Sequence, residues 1–302
     1  LKSVAVELEK RGYQVARNLS LARYTTMRVG CTSELVVYPR SAEELAAVLG
    51  LLEGMEVPWT VLGGGSNVII GPELDGVVVS TKRLKRVRVL DGARLEAEAG
   101  AVLGQALNLA LAGDLRGLEF AAGIPGSVGG GVVMNAGANG RELKDVIECV
   151  WVWHGGREVV LTADEIGFEY RKAHLPPGSV VTRARLRLTR GDGARGRAVV
   201  RELLKRRAAT QPVEKANSGC VFKNPPDIPA GMLLEQLGFK GVRRGGAAFS
   251  TVHANFIINL GGATFGDVVA LIREARRIAY EKRGIVLETE VKLLGAGGVE
   301  VS

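Results

Sequence analysis

The sequence predicts an α+β protein of more than one domain, and three observations carry that reading. Short apolar runs such as "LVVY" (35–38) and "GVVVST" (76–81) have strand character, and they are interleaved with helical patterns such as "SAEELAAVLGLLEG" (41–54). Two loops rich in glycine and free of charge, at 63–67 and 123–140, interrupt the regular elements. Composition then shifts at "RGDGARGR" (190–197), which reads as a domain boundary. A chain of 302 residues allows two or three compact domains, at roughly 100–150 residues each.

Taken in order, Ser41 can cap the helix 41–54, Glu44 can close a capping box, and Gly54 can end it. "WTVLGGGSNVII" (59–70) reads as a strand, a glycine turn and a second strand. Residues 84–100 form two strands joined at Asp91-Gly92, a tight-turn pair. "LGQALNLALA" (103–112) is a helix, and 146–161 and 180–190 are strands. Arg183, Arg185 and Arg187 alternate with Ala184, Leu186 and Leu188, as on the wet face of a half-buried strand. Beyond the boundary, 198–209, 231–237 and 266–283 read as helices, and "GIVLETEVKLLG" (284–295) as the last strand.

Composition excludes several classes. At 46% hydrophobic the chain can bury a sizeable core. No run of about 18 apolar residues is free of breakers, so no membrane span is expected. No basic-then-apolar leader pattern opens the sequence, and a cytoplasmic protein is expected. Cys31, Cys149 and Cys220 lack CxxC spacing, which argues against a disulfide framework and against a metal site. The net charge is +8, with basic residues concentrated in 81–90, 182–190 and 201–207. No aromatic residue interleaves with the arginines of 182–190, so there is no stacking platform for bases and no nucleic-acid partner is expected. An anionic small substrate accounts for part of the excess equally well.

Glycine allows turn conformations that aim several N–H groups at one anion. "GGGSN" (63–67) lacks the lysine and spacing of a P-loop, and Val68 stands where a GxGxxG would need its third glycine. Alone it fits a tight hairpin with no ligand equally well. "GIPGSVGGGVVMNAGANG" (123–140) adds seven glycines with Ser127, Asn135 and Asn139 among them. So long a charge-free glycine segment in a compact domain is usually functional. Two such loops can clasp a dinucleotide diphosphate through backbone donors.

"YTTMRVG" (24–30), "VLGGGSNVII" (61–70), "AGIPGSVGGGVVMNAGANG" (122–140), "EYR" (169–171), "NSGCVFKNP" (217–225), "LLEQLGFKG" (233–241), "FSTVHANFIINLGGAT" (249–264) and "ETEVKLLG" (288–295) follow one another along the chain. This ordered set resembles the UDP-N-acetylenolpyruvoylglucosamine reductase family in its shorter form. The resemblance implies a vanillyl-alcohol-oxidase-type FAD-binding domain of two α/β subdomains, not a Rossmann fold, plus a C-terminal α+β domain for the UDP-sugar. The corresponding division is 1–80, 81–190 and 191–290, with a C-terminal strand 291–302 returning to the first part. Residues expected at the flavin are Leu62, Gly63, Gly64, Gly65, Ser66 and Asn67 of the first loop. Those of the second are Gly123, Ile124, Pro125, Gly126, Ser127, Gly129, Gly130, Asn135 and Gly137. Neither 59–70 nor 122–140 holds a His or Cys, so a non-covalent FAD is expected. NADPH as co-substrate and a monomeric state complete the expectation.

The resemblance also implies the chemistry. The family reduces an enolpyruvyl ether, and negative charge builds beside a carboxylate. Arg171 is implied as the guanidinium facing that carboxylate, Glu290 as an acid donating to the developing enolate, and Cys220 as the donor that protonates the carbanion. Most of the family has serine at the position of Cys220. On residue chemistry alone, a lone Cys such as Cys220 reads better as a small buried hydrophobe, Arg171 as a surface arginine, and Glu288 and Glu290 as a solvated charged strand face. Glu288 rivals Glu290 because both share one face of the expected strand with Lys292. Asn224 is implied at the substrate, and Lys223, Arg206 and Arg207 are candidates for its diphosphate. Ala173 stands where the family often has serine, and no Phe, Tyr or Trp lies between Arg171 and Cys220. The tyrosine-bearing loop of the longer form is therefore absent from that stretch. His253 reads as packing. Two other readings stay open: another FAD-dependent oxidase or dehydrogenase of this fold, and a non-catalytic nucleotide-sugar binder.

Overall fold

A computed structural model describes residues 1–295. The chain forms two compact units. Among the described residues, the first comprises 1–17, 34–64 and 76–205, and the second 18–33, 65–75 and 206–295. Segments 18–33 and 65–75 thus group with C-terminal residues, a grouping that linear cuts at 80 and 190 do not contain.

In the first unit, Ser41 Oγ accepts from Glu44 N at 3.2 Å and starts the helix Ala42–Gly54. The expected reciprocal bond is replaced: the Glu44 carboxylate accepts from Arg40 N at 2.9 Å and pairs with the Arg40 guanidinium. Leu45, Val48, Leu49 and Leu52 bury one face of this helix, the i, i+3, i+4, i+7 stripe of an amphipathic pattern. Strands Thr32–Val37 and Trp59–Leu62 flank Val77–Ser80 and pair with it in parallel. All four residues of Val77–Ser80 are buried, as a central parallel strand requires.

The hairpin reading of 59–70 fails. Trp59–Leu62 stays in that parallel sheet, whereas Val68–Ile70 pairs in parallel with Lys292–Leu294. The glycines between them carry the chain from one sheet to another. Residues 296–302 of the expected returning strand lie outside the described residues.

The first unit's larger sheet is antiparallel, with Arg157–Thr162, Ile147–His154, Val180–Arg187, Arg94–Glu98 and Val87–Leu90 in that order. The expected wet face is there, and its arginines are engaged with their own sheet. Arg183 and Arg185 lie 4.4 and 4.9 Å over the Trp151 ring, and they pair with Glu158 and Glu96.

The boundary expected at 190–197 is instead the start of a helix, Gly193–Thr210. Asp192 Oδ1 accepts from Ala194 N at 2.7 Å and Arg195 N at 3.2 Å. A Cβ at Gly193 would strike the Leu111 carbonyl, and one at Gly196 the Leu111 side chain. These glycines allow close packing and do not mark a linker.

In the second unit, Ala216–Cys220, Phe256–Asn259, Ala247–Phe249 and Arg243–Arg244 form an antiparallel sheet accompanied by helices Ala230–Gln236 and Phe265–Arg283. Phe222, Phe239 and Phe249 anchor its core, the last two edge to face at 5.1 Å. Thr264 and Asp267 cap the long helix reciprocally, and left-handed Gly284 ends it. The last strand is only Lys292–Leu294. Residues 284–291 bond to an irregular segment instead: Lys223 N donates to Glu288 O at 2.9 Å, and Glu290 N to Val221 O at 2.8 Å. Among the described residues, no helix is long and apolar enough to cross a membrane.

Candidate active site

The two glycine loops meet in the first unit. A Cβ at Gly64 would stand 2.6 Å from Gly126 Cα and 2.9 Å from Ser127 N. One at Gly63 would stand 2.6 Å from Ser127 Oγ. Gly123 and Gly126 have positive φ, 75° and 114°, and Gly126 O accepts from Leu103 N at 3.1 Å. Ser127 Oγ accepts from Gly130 N at 3.3 Å and caps the short helix Val128–Val133. A Cβ at Gly129 would stand 2.8 Å from that of Ala99. Nearby, Ser80 pairs in register with Leu62, and its buried hydroxyl has no hydrogen-bond partner among the described residues. Bare backbone from two charge-free loops, beside an unsatisfied buried hydroxyl at the carboxyl end of a parallel strand, fits a flavin dinucleotide. Ser80 escaped sequence reasoning, since a serine ending a strand carries no pattern of its own.

Arg171 lies in the same unit, in a turn closed by Glu169 N to Lys172 O at 2.9 Å. Its φ is 58°, a left-handed conformation that a long side chain rarely adopts. The guanidinium donates to Gly137 O at 2.9 Å, faces Glu142 Oε1 at 3.7 Å and lies 4.9 Å from the Tyr170 ring centroid. Asn135, expected at the flavin, has its side-chain amide held by protein groups. Its Nδ2 donates to Glu142 Oε2 at 3.0 Å and to Glu169 O at 2.9 Å, and its Oδ1 accepts from Lys144 N at 3.0 Å. Glu142, Lys144 and Glu169 were not legible as site residues. Charged residues after a glycine loop look like any solvated turn.

The second unit gathers the remaining candidates. Gly65 turns at φ 65° where a Cβ would strike the Tyr24 carbonyl, and its own carbonyl accepts from Thr26 N at 2.9 Å. Asn67 Nδ2 donates to Glu290 O at 3.0 Å, and Asn67 O accepts from Lys292 N at 2.9 Å. Through Glu290 N and Val221 O, the loop asparagine, Glu290 and the chain just after Cys220 are tied together. Glu290 is half-buried, whereas Glu288 is exposed and pairs with Lys223 Nζ at 3.0 Å. The shared strand face that made them rivals does not exist, because 288–291 is not a strand.

Cys220 ends the strand Ala216–Cys220, just after Gly219 at φ 82°, and is half-buried. Arg207 is within electrostatic reach of its thiol, and burial pushes the Arg207 guanidinium below its ordinary range. Burial pushes the Cys31 and Cys149 thiols up, which disfavours their thiolates. Asn224 Oδ1 accepts from Ala230 N at 3.0 Å, and Arg206 is exposed on the helix Gly193–Thr210. His253 Nδ1 accepts from Asn255 N at 3.2 Å, and its ring packs edge-on to Phe256, in line with a packing role.

Residues 33–160 match the family model of an FAD binding domain. With the paired glycine loops, this makes the chain a flavoprotein oxidoreductase whose FAD-binding domain is of the vanillyl-alcohol-oxidase type. Residues 211–294 match a second model, the C-terminal domain of UDP-N-acetylenolpyruvoylglucosamine reductase. The reductase of that name from Anaeromyxobacter dehalogenans (strain 2CP-C) is 43% identical over 92% of this chain and 85% of its own length. That from Carboxydothermus hydrogenoformans is 39% identical over 96% of this chain and 97% of its own. The crystal structure of UDP-N-acetylenolpyruvylglucosamine reductase from Thermus caldophilus superposes with a TM-score of 0.80 at 35% identity, covering 93% of this chain and 98% of that one. The chain belongs to the UDP-N-acetylenolpyruvoylglucosamine reductase family.

The loop contact makes a direct prediction. In Gly64→Ala the new methyl meets backbone on the other loop, which cannot swing aside as a side chain would. Overpacking of this kind costs about 1–3 kcal/mol, so FAD affinity of the apoprotein should fall about 10–100-fold. Flavin fluorescence titration measures this. Unchanged affinity would separate the loop contact from flavin binding.

Proposed function

We propose that this protein reduces the enolpyruvyl ether of UDP-N-acetylglucosamine enolpyruvate to UDP-N-acetylmuramate, a peptidoglycan precursor, with NADPH as reductant. Family membership over nearly the whole chain supports the reaction. The observation that carries the site assignment is the knot in the second unit. There Asn67 of a flavin loop bonds the Glu290 backbone, and Glu290 bonds the residue after Cys220.

FAD, when held by the loops at 62–67 and 123–137, would supply the hydride chemistry that links NADPH to the terminal carbon of the enolpyruvyl group. Arg171 faces the substrate carboxylate and stabilises the charge that spreads into it. Glu290, protonated, donates a hydrogen bond to the same developing enolate. The Cys220 thiol gives its proton to the carbon beside the carboxylate, so hydride and proton add across the double bond and the thiolate takes a proton back from solvent. Arg207 favours that transient thiolate by its charge. Lys223, Asn224 and Arg206 are assigned to the UDP-sugar, and residues 191–290 to its binding. The half-buried position of Glu290 and the Lys223 pairing of exposed Glu288 favour Glu290 as the acid. A monomeric, cytoplasmic enzyme is the simplest form of this proposal.

The test is spectroscopic. The purified protein should be yellow, and acid precipitation should release all of its flavin. NADPH without air should bleach it, and the enolpyruvyl sugar should restore the colour. A protein that stays colourless with added FAD would be a nucleotide-sugar binder. Oxygen-dependent turnover of a hydroxylated substrate without NADPH would make it an oxidase of the same fold.

A further inference from the structure

Asn135 is fully buried, yet none of its polar atoms is placed to serve a ligand alone. Its amide ties together three points: the Glu142 carboxylate, the Lys144 backbone and the carbonyl of Glu169, two residues before Arg171. The Glu142 oxygen that accepts from Asn135, Oε2, also meets Lys144 Nζ at 3.1 Å. The other oxygen faces Arg171 Nη1 at 3.7 Å, an ion-pair separation longer than a hydrogen bond. Gly137 makes the approach possible. A Cβ there would stand 2.7 Å from Glu142 Cγ and 3.1 Å from Arg171 Nη1. Glycine at 137 therefore serves the Arg171 clamp by leaving out a side chain, and Asn135 serves it by adding one.

We infer that Asn135 and Glu142 form a positioning unit for Arg171, fixing both its left-handed turn and the heading of its guanidinium. The inference rests on the reading of Arg171 as the cation that faces the substrate carboxylate. Asn135 holds the turn from below through the Glu169 carbonyl. Glu142 holds the guanidinium from the side by charge, at a length that aligns it without a direct hydrogen bond between these atoms. A substrate carboxylate then meets a cation whose orientation was set before binding, which is where preorganisation lowers a barrier.

Asn135→Ala would leave buried polar partners unsatisfied and is prone to misfold, so the test uses Glu142→Gln, a near-isostere whose Oε1 can still accept from Asn135. Anaerobic stopped-flow on flavin-loaded protein, normalised to bound flavin, separates the two half-reactions. NADPH bleaching should stay within about twofold of normal, while reoxidation by the enolpyruvyl sugar slows about tenfold, in kcat and not through KM. In an Arg171→Lys background the same change should cost less than about twofold, because Glu142 acts through the guanidinium. Three results would overturn the inference: wild-type reoxidation in Glu142→Gln, an equal loss in both backgrounds, or both half-reactions falling together. Normal reoxidation in Arg171→Lys alone would instead overturn the reading of Arg171, and this inference with it.

Discussion

Replacing Arg171 by glycine should slow reoxidation of the reduced flavin by the enolpyruvyl sugar about 10²–10³-fold, the scale of losing one preorganised donor to a developing oxyanion. Bleaching by NADPH should stay near normal, since that step builds no charge on the substrate carboxylate. Glycine is the informative replacement. The φ of 58° at Arg171 is free for glycine, whereas alanine there carries roughly 1–2 kcal/mol of left-handed strain. Arg171→Gly therefore removes the guanidinium and relieves the turn, whereas Arg171→Ala removes the guanidinium and keeps the strain that Arg171 already carries. Both variants should be slow in the same half-reaction, with the alanine protein melting lower. Arg171→Gly reoxidised by substrate at the wild-type rate would mean that this guanidinium does not face the reacting carboxylate.

Cys220→Ala should slow the same half-reaction by about 10²-fold or more, the usual scale for a lost general acid. Here too the NADPH half-reaction should be spared, because hydride transfer to the flavin needs no proton at the substrate carbon. Cys220→Ser should keep much of the activity. The packing alternative makes a different prediction, with stability falling and the two half-reactions changing together. The structure weakens that alternative: Val221 and Phe222 are in the second unit's core, while Cys220 is half-buried at a strand end beside a left-handed glycine. Stopped-flow measurement of both half-reactions decides. An alanine variant reoxidised as fast as wild type would leave the proton donor unidentified.

What the sequence by itself determined was local or additive. The helix 41–54 follows from the spacing of Leu45, Val48, Leu49 and Leu52 and from a serine cap, all within one stretch of chain. The strand pair joined at Asp91-Gly92 and the wet arginine face follow from turn chemistry and alternation. The two glycine loops were visible as glycine, and the ordered motifs identified the family. Tertiary structure alone decided the partners. Gly64 meets Gly126 across 62 residues of chain, and Asn67 meets Glu290 across 223. No periodicity encodes such pairings, because they depend on how separate elements stack. For the same reason the sequence left Glu288 and Glu290 equivalent, until one was seen paired with Lys223 and the other half-buried beside Val221. It also placed Asn135 with the flavin loop, because a glycine-rich loop reads as ligand-facing along its whole length, and it could not show which protein groups hold its amide. A fully buried amide must satisfy its own donors and acceptor, and in the folded chain Glu142, Lys144 and Glu169 do so.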